Sequence, residues 1–225
     1  MSTFRQLPLP FPHEPRFAAG DFLAAGSNEA ALTWLNRTAD WPDGRLALWG
    51  DEGRGKTHLL RIWAVRAGAT VLTWPPPGDD GAPVAAGPIA IDDADMIADD
   101  HGLLHRLNAA REAGVPVLLT GRTPPSRWTA VLPDLASRLR AMTAVQIDPP
   151  EDSLLEALLV RLLNERQMTM GDGARAWLLT RLPRTAAAMR EAVARLDHIS
   201  LAAGGRITRD MVAEVVEGIE TGAVP

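Results

Sequence analysis

Between Gly50 and Thr57 the chain reads GDEGRGKT, and no other stretch constrains the fold as much. It satisfies G-x-x-x-x-G-K-[ST] at every defined position. It follows the short apolar run RLALW (45–49) and precedes a helical pattern from Lys56 to Arg66. A strand that turns through glycines into a helix can wrap backbone N–H groups around phosphate oxygens, and the helix N-terminus adds partial positive charge. The motif therefore assigns Gly50, Asp51, Glu52, Gly53, Arg54, Gly55, Lys56 and Thr57, with His58 at its edge, to a bound nucleotide. Lys56 would reach the β- and γ-phosphates, and Thr57 would hold Mg²⁺.

A loop of this kind needs a parallel sheet behind it. Further short apolar runs fit: ATVLT (69–73), IAI (89–91), VPVLLT (115–120) and AVQI (144–147). Unalternating strands separated by helices are buried on both faces. A first helix is expected through residues 28–39, with Ser27 or Asn28 as its N-cap. Another is expected over 100–113. The segment 74–88 is too rich in Pro and Gly for a helix. The texture changes after Pro149-Pro150. Leu154, Leu155, Leu158, Leu159, Leu162 and Leu163 recur at helical spacing, and helices fit 173–182, 185–203 and 208–219. The expected organisation is an extended arm (1–20), an α/β nucleotide-binding domain with a parallel five-stranded sheet and flanking helices (21–149), and a small all-α lid (150–225).

Three further features carry chemistry. IAIDDAD (89–95) is an apolar strand ending in two acids about thirty-five residues past the loop. There Asp92 would hold Mg²⁺ through water and Asp93 would orient an attacking water. LPDLASRLRAM (132–142) puts Arg138 and Arg140 on a short helix. An arginine projecting from the edge of such a domain could neutralise the γ-phosphate charge in a neighbour. Arg190 lies mid-helix in the lid and would sense phosphate if it faced the nucleotide. The net charge of −5 excludes wrapping of nucleic acid by bulk attraction. The absence of cysteine excludes disulfides and thiolate metal sites, and is compatible with a reducing cytosol. No signal-peptide profile and no spanning apolar run is present, so the expectation is a cytoplasmic protein with no membrane partner.

Taken together, these motifs resemble the AAA+ ATPases, in particular the DnaA/Hda branch and most of all its Hda members in their alphaproteobacterial form. GKTHLL resembles the phosphate-loop helix of that branch, GDFLAAGSNEAAL the segment that brackets adenine, and LLTGRTPPSRW the sensor I turn. LPDLASRL resembles the arginine-finger box, and AAGGRIT the end of the lid. The match runs through nearly the whole chain. It implies an arginine finger at Arg138 acting in trans, a sensor II role for Arg190, and Phe22, Gly26 and Asn28 near the base. It implies ADP or ATP with Mg²⁺ as cofactors. At the N-terminus QLPLPF resembles the peptide by which Hda binds the bacterial sliding clamp, the β subunit of DNA polymerase III. Gln6 would fill a polar subsite, and Leu9 and Phe11 an apolar one, flanked by Leu7 and Pro10. Pro8 and Pro10 favour an extended arm, which lowers the ordering cost of binding. The alternative is an arm packed on its own domain.

The departures are informative. Initiators of the branch carry an acid in the sensor I turn, where this chain has Gly121-Arg122. Many AAA+ motors end the acidic strand in Asp-Glu, where this chain has Asp92-Asp93. Both imply weak hydrolysis of its own ATP. The place of the initiators' single-stranded-DNA insertion holds the Pro/Gly loop 74–88. The end at Pro225 leaves no room for a helix-turn-helix domain, so DNA contact is expected through the clamp. The resemblance thus implies a regulator that promotes hydrolysis of DnaA-bound ATP and restrains initiation of replication, with homodimerisation open. Two rivals stay open: an autonomous DNA-dependent ATPase or helicase loader of the DnaA/DnaC kind, and an adaptor that uses nucleotide only to fold.

Overall fold

The computed structural model describes residues 23–72, 74, 87–202 and 207–221. The expected clamp peptide (Gln6, Leu7, Leu9, Pro10, Phe11), Phe22, most of the Pro/Gly loop and Gly204-Gly205 lie outside the described residues. The chain divides into two compact units, with the boundary between Pro149 and Pro150.

In the first unit five strands form one sheet: β1 (Arg45–Trp49), β2 (Thr70–Leu72), β3 (Ile89–Ile91), β4 (Val117–Gly121) and β5 (Thr143–Gln146). Their order is β2-β3-β4-β1-β5 and every pairing is parallel. Both faces are covered, which is why the strands read as continuous apolar runs. Leu46, Leu48, Ala90 and Leu118 join one buried cluster, with Leu59, Leu60 and Trp63 of α2 (Lys56–Ala67) and Ala31 and Leu35 of α1 (Gly26–Asn36). The alternate residues Ala47, Ile89, Ile91, Val117 and Leu119 join the opposite cluster. That one includes Leu103 and Leu107 of α3 (Asp100–Glu112) and Leu135 and Leu139 of α4 (Pro133–Ala141).

The start of α1 differs from expectation. Its N-cap is Ala25, and Asn28 sits three residues inside the helix. The Asn28 carboxamide accepts from Ala25 N–H at 3.0 Å and donates to the Leu23 carbonyl at 3.0 Å. Ser27 is buried, and its carbonyl accepts from Asp148 N–H at 3.0 Å. An Asn at this position reaches back to the N-cap backbone, the reciprocal half of a capping box. The helix therefore begins three residues earlier than a side-chain cap at Asn28 would allow. It ends at Asn36 rather than Ala39, because the chain tightens into a 3₁₀ turn at Thr38–Asp40 and delivers Trp41 to the core. Trp41 stacks on Trp63 with centroids 5.1 Å apart.

The second unit is all helical: α5 (Asp152–Glu165), α6 (Asp172–Arg181), α7 (Ala186–Ala202) and α8 (Arg209–Glu220). Leu155, Leu159, Leu162 and Leu163 turn one face of α5 onto Leu178, Met189, Ala192, Val193, Leu196, Val212, Val215 and Val216. Leu158 packs at the margin of this core and Leu154 is half-buried. Thr185 Oγ1 accepts from Ala188 N–H at 3.1 Å, closing the first turn of α7.

Candidate nucleotide-binding site

Because all five strands run the same way, their C-terminal ends share one edge, and the loops that follow them meet there. The loop 50–55 after β1 takes left-handed backbone at its glycines, with φ +151 at Gly50, +79 at Gly53 and +91 at Gly55. A Cβ on Gly50 would stand 2.7 Å from the Ile147 carbonyl oxygen, so only glycine lets the loop pass β5 so closely. At Gly55 a Cβ would meet nothing within 4 Å; there the conformation itself selects glycine. Gly55 is the N-cap of α2 and supplies no side-chain cap, leaving the first-turn N–H groups to a ligand.

Lys56 is buried, and its Nζ donates to the carbonyls of Gly50 at 2.7 Å and Asp51 at 2.9 Å. A lysine folded back over its own loop sits where a polyphosphate's oxygens would replace those carbonyls. Arg54 pairs with Asp51 at 2.9 Å. Thr57 is exposed one residue into α2, with its hydroxyl open to a cation, and His58 beside it is half-buried. A glycine-shaped loop running into an uncapped helix start, a clamped lysine and an exposed threonine fit a Mg²⁺-nucleotide.

The two acids after β3 stand at the same edge. The Thr120 hydroxyl, at the end of β4, donates to Asp92 Oδ1 at 2.5 Å and accepts from Asp93 N–H at 2.9 Å. Thr120 is fully buried, so it fixes the acid pair rigidly. Sequence reasoning missed it; the one available signal was a threonine at the end of the strand expected next to the acidic one. Asp93 itself takes left-handed backbone, φ 47 and ψ 44. Desolvation first, then the charge of Asp92, raises its carboxyl pKa above the ordinary range; Lys56 and Arg122 pull it back in part. Arg122, also missed as a contact, places Nη2 3.7 Å from Glu52 Oε2 of the loop.

Residues 152–216 match the family described as "Hda, lid domain". Among solved structures, domain III of the Thermotoga maritima replication initiation protein DnaA superposes with a TM-score of 0.76 at 15% identity, covering 93% of this chain and 99% of that one. AMPPCP-bound DnaA from Aquifex aeolicus gives 0.68 at 15% identity, over 93% of this chain and 70% of that one. A variant of Thermotoga maritima RuvB gives 0.67 at 18% identity, over 90% and 72%. The structural likeness speaks to the fold, and the family match to the lid alone. The chain has the fold of DnaA domain III, and its residues 152–216 match the Hda lid domain.

On this frame the remaining residues fall at separate places. Asn28 is buried and both ends of its carboxamide serve the backbone around α1, while Gly26 is exposed at that helix's first position. Arg138 lies on α4, which leads into β5, and the first paired residue of β5, Thr143, stands beside Leu46 near the start of β1. Arg138 pairs with Asp134 one turn back at 3.3 Å. Its charge is felt by Arg45, the first residue of β1, whose guanidinium pKa is lowered by burial first and by Arg138 second. Arg138 thus lies on the helix that enters β5 beside the start of β1, whereas the phosphate loop follows the end of β1, and a strand of that length spans roughly 17 Å at 3.3 Å per residue. Arg140 is exposed on the same helix. Arg190 is exposed on α7, and the protein around it removes enough water to lower its guanidinium pKa. Among the described residues no helix is long and apolar enough to cross a membrane.

Proposed function

We propose that this AAA+ protein is a DnaA-related regulator. In this reading it holds ADP or ATP with Mg²⁺ at Gly50–Thr57, docks on the sliding clamp through Gln6–Phe11, and presents Arg138 to ATP bound on the initiator. Its arginine finger stimulates the partner's ATPase in trans and so restrains initiation of replication. Asp92 and Asp93 would serve the chain's own nucleotide, and Arg190 would close over it as sensor II.

The observation that carries the reading is the position of Arg138. An arginine on the helix entering β5 beside the start of β1, while its own phosphate loop follows the end of that strand, supports a role toward a neighbour's nucleotide rather than its own. The lid family and the AAA+ fold make a DnaA-branch neighbour the fitting partner. The DnaA structures bound to AMPPCP supply the analogy for adenine nucleotide.

The test is an ATP-hydrolysis assay on the initiator with and without this protein, the clamp and DNA. Arginine fingers contribute roughly 10³–10⁵ in rate. Arg138→Ala is expected to abolish stimulation while nucleotide and clamp binding persist. Undiminished stimulation would move the role, first to Arg140. Brisk turnover by this chain alone would favour the autonomous ATPase.

A further inference from the structure

We propose that Arg45 is a positioning residue for Arg138: a buried cation, ion-paired to no carboxylate, that leaves the start of β1 and the neighbouring α4 short of negative charge and so draws a partner's polyphosphate onto the Arg138 guanidinium. The inference rests on the reading of Arg138 as a residue that acts in trans.

Arg45 is an unusual residue for its place. It opens β1, a strand with β4 on one side and β5 on the other, and it is only 6% exposed. Its Nη2 donates to the Leu107 carbonyl at 3.1 Å, and its Nε is buried with no partner. Among the described residues no ion pair joins it to a carboxylate. A buried charge ordinarily has such a partner, because water no longer solvates it. An apolar side chain would fill this position at less cost, so the charge itself is what needs a use.

The packing connects that charge to Arg138. Leu107, whose carbonyl holds Arg45, shares a buried cluster with Leu135 and Leu139 of α4, the residues on either side of Arg138 in that helix. The helix runs on into β5, where Thr143 stands beside Leu46, the next residue after Arg45. The charge of Arg138 is felt at Arg45 across this contact, as are those of Asp43 and Arg111. Arg138 has Asp134 as its ion-pair partner at 3.3 Å, and its Nε has no hydrogen-bond partner. Three arginines thus share two carboxylates.

This arrangement favours an incoming anion. The Arg138–Asp134 pair is weak, because Asp134 is 60% exposed. A buried charge is poorly screened by salt, so Arg45 adds its field to that of Arg138. A polyphosphate brings more negative charge than one carboxylate and can take the guanidinium fork that Asp134 fills only in part. Arg45 is too deeply buried to touch the phosphate and acts through Arg138.

The test titrates this protein into the initiator's ATP-hydrolysis assay, with the clamp and DNA present. Arg45→Met removes the charge and keeps the bulk. It is expected to raise the concentration for half-maximal stimulation about tenfold, with the maximal rate changed less. Arg45→Lys keeps the charge and should stay within about twofold of the unaltered protein. Asp134→Asn added to Arg45→Met removes one negative charge in exchange for the lost positive one, and should recover most of the loss. That rescue decides the matter if the methionine form melts early, since an exposed asparagine does not repair a damaged core. An unchanged titration for Arg45→Met, or a loss that Asp134→Asn does not recover, would overturn the assignment while leaving Arg138 in its role. Failure of the unaltered protein to stimulate hydrolysis would overturn the functional reading, and this inference with it.

Discussion

At Gly50 one hydrogen atom decides whether the phosphate loop can form. The backbone there has φ +151, and the Ile147 carbonyl stands where a Cβ would need to be. Gly50→Ala is expected to cost about 1–3 kcal/mol, read by denaturant unfolding without nucleotide. A neutral result would mean that the loop and β5 can separate freely. Asp93 tests the electrostatics of the same edge. Its carboxyl pKa is raised in the folded state, so folding disfavours its ionised form. The sign follows: this group contributes stability at low pH, and the contribution is lost as pH rises through the raised pKa. Asp93→Asn removes the charge and keeps a side chain that tolerates left-handed backbone. It is expected to raise the melting temperature at pH 7, with the gain shrinking as pH falls and Asp93 takes up its proton. A gain that grows on acidification would contradict the repulsion among Asp92, Asp93 and Asp95.

At the scale of elements, the helices differ in what holds them. The lid core centres on α5 and α7, and Leu159 of α5 is fully buried within it. Leu159→Ala is expected to destabilise by about 2–5 kcal/mol, the combined loss of transfer energy and packing around the cavity. Leu154→Ala on the same helix, half-buried and outside the core cluster, should cost clearly less. Equal costs would mean that the face of α5 is misassigned. The six-leucine stripe was visible in the sequence, but the period alone did not say that 155, 159, 162 and 163 form its centre and 154 its margin. Helix α1 shows the converse limit. Asn28 looked like an N-cap by residue type, yet it acts from inside the helix, because its carboxamide reaches back to Ala25 and Leu23.

For the whole molecule the open question is recruitment. Under the proposed function the stretch QLPLPF is the clamp peptide, and burial of Leu9 and Phe11 in a partner's pocket could supply about 1.5–3 kcal/mol each before ordering costs. A ring-shaped clamp with several equivalent sites would strengthen a modest affinity. Deleting residues 1–11 is expected to leave the melting temperature and nucleotide binding nearly unchanged. It should remove capture on immobilised clamp and lower stimulation of the initiator. A lower melting temperature with capture retained would instead make the arm part of the protein's own core.

The sequence by itself determined the local grammar of this chain. The run RLALW, the glycines at 50, 53 and 55 and the helix from Lys56 are set by short-range rules: apolar strands buried on both faces, left-handed backbone where a side chain is forbidden, and helical period. These rules placed all five strands and the change to an all-helical lid after Pro149-Pro150. Only the tertiary structure decided what depends on pairing across distance. The order β2-β3-β4-β1-β5 puts β4 between β3 and β1. That order brings Thr120 to Asp92 and Arg122 to Glu52, residues 28 and 70 positions apart by subtraction of their numbers. It also sets Thr143, just after the helix that carries Arg138, beside Leu46 at the start of β1. No local pattern encodes such meetings, because each is fixed by which strands hydrogen-bond side by side, and that follows from burying both faces of the whole sheet at once.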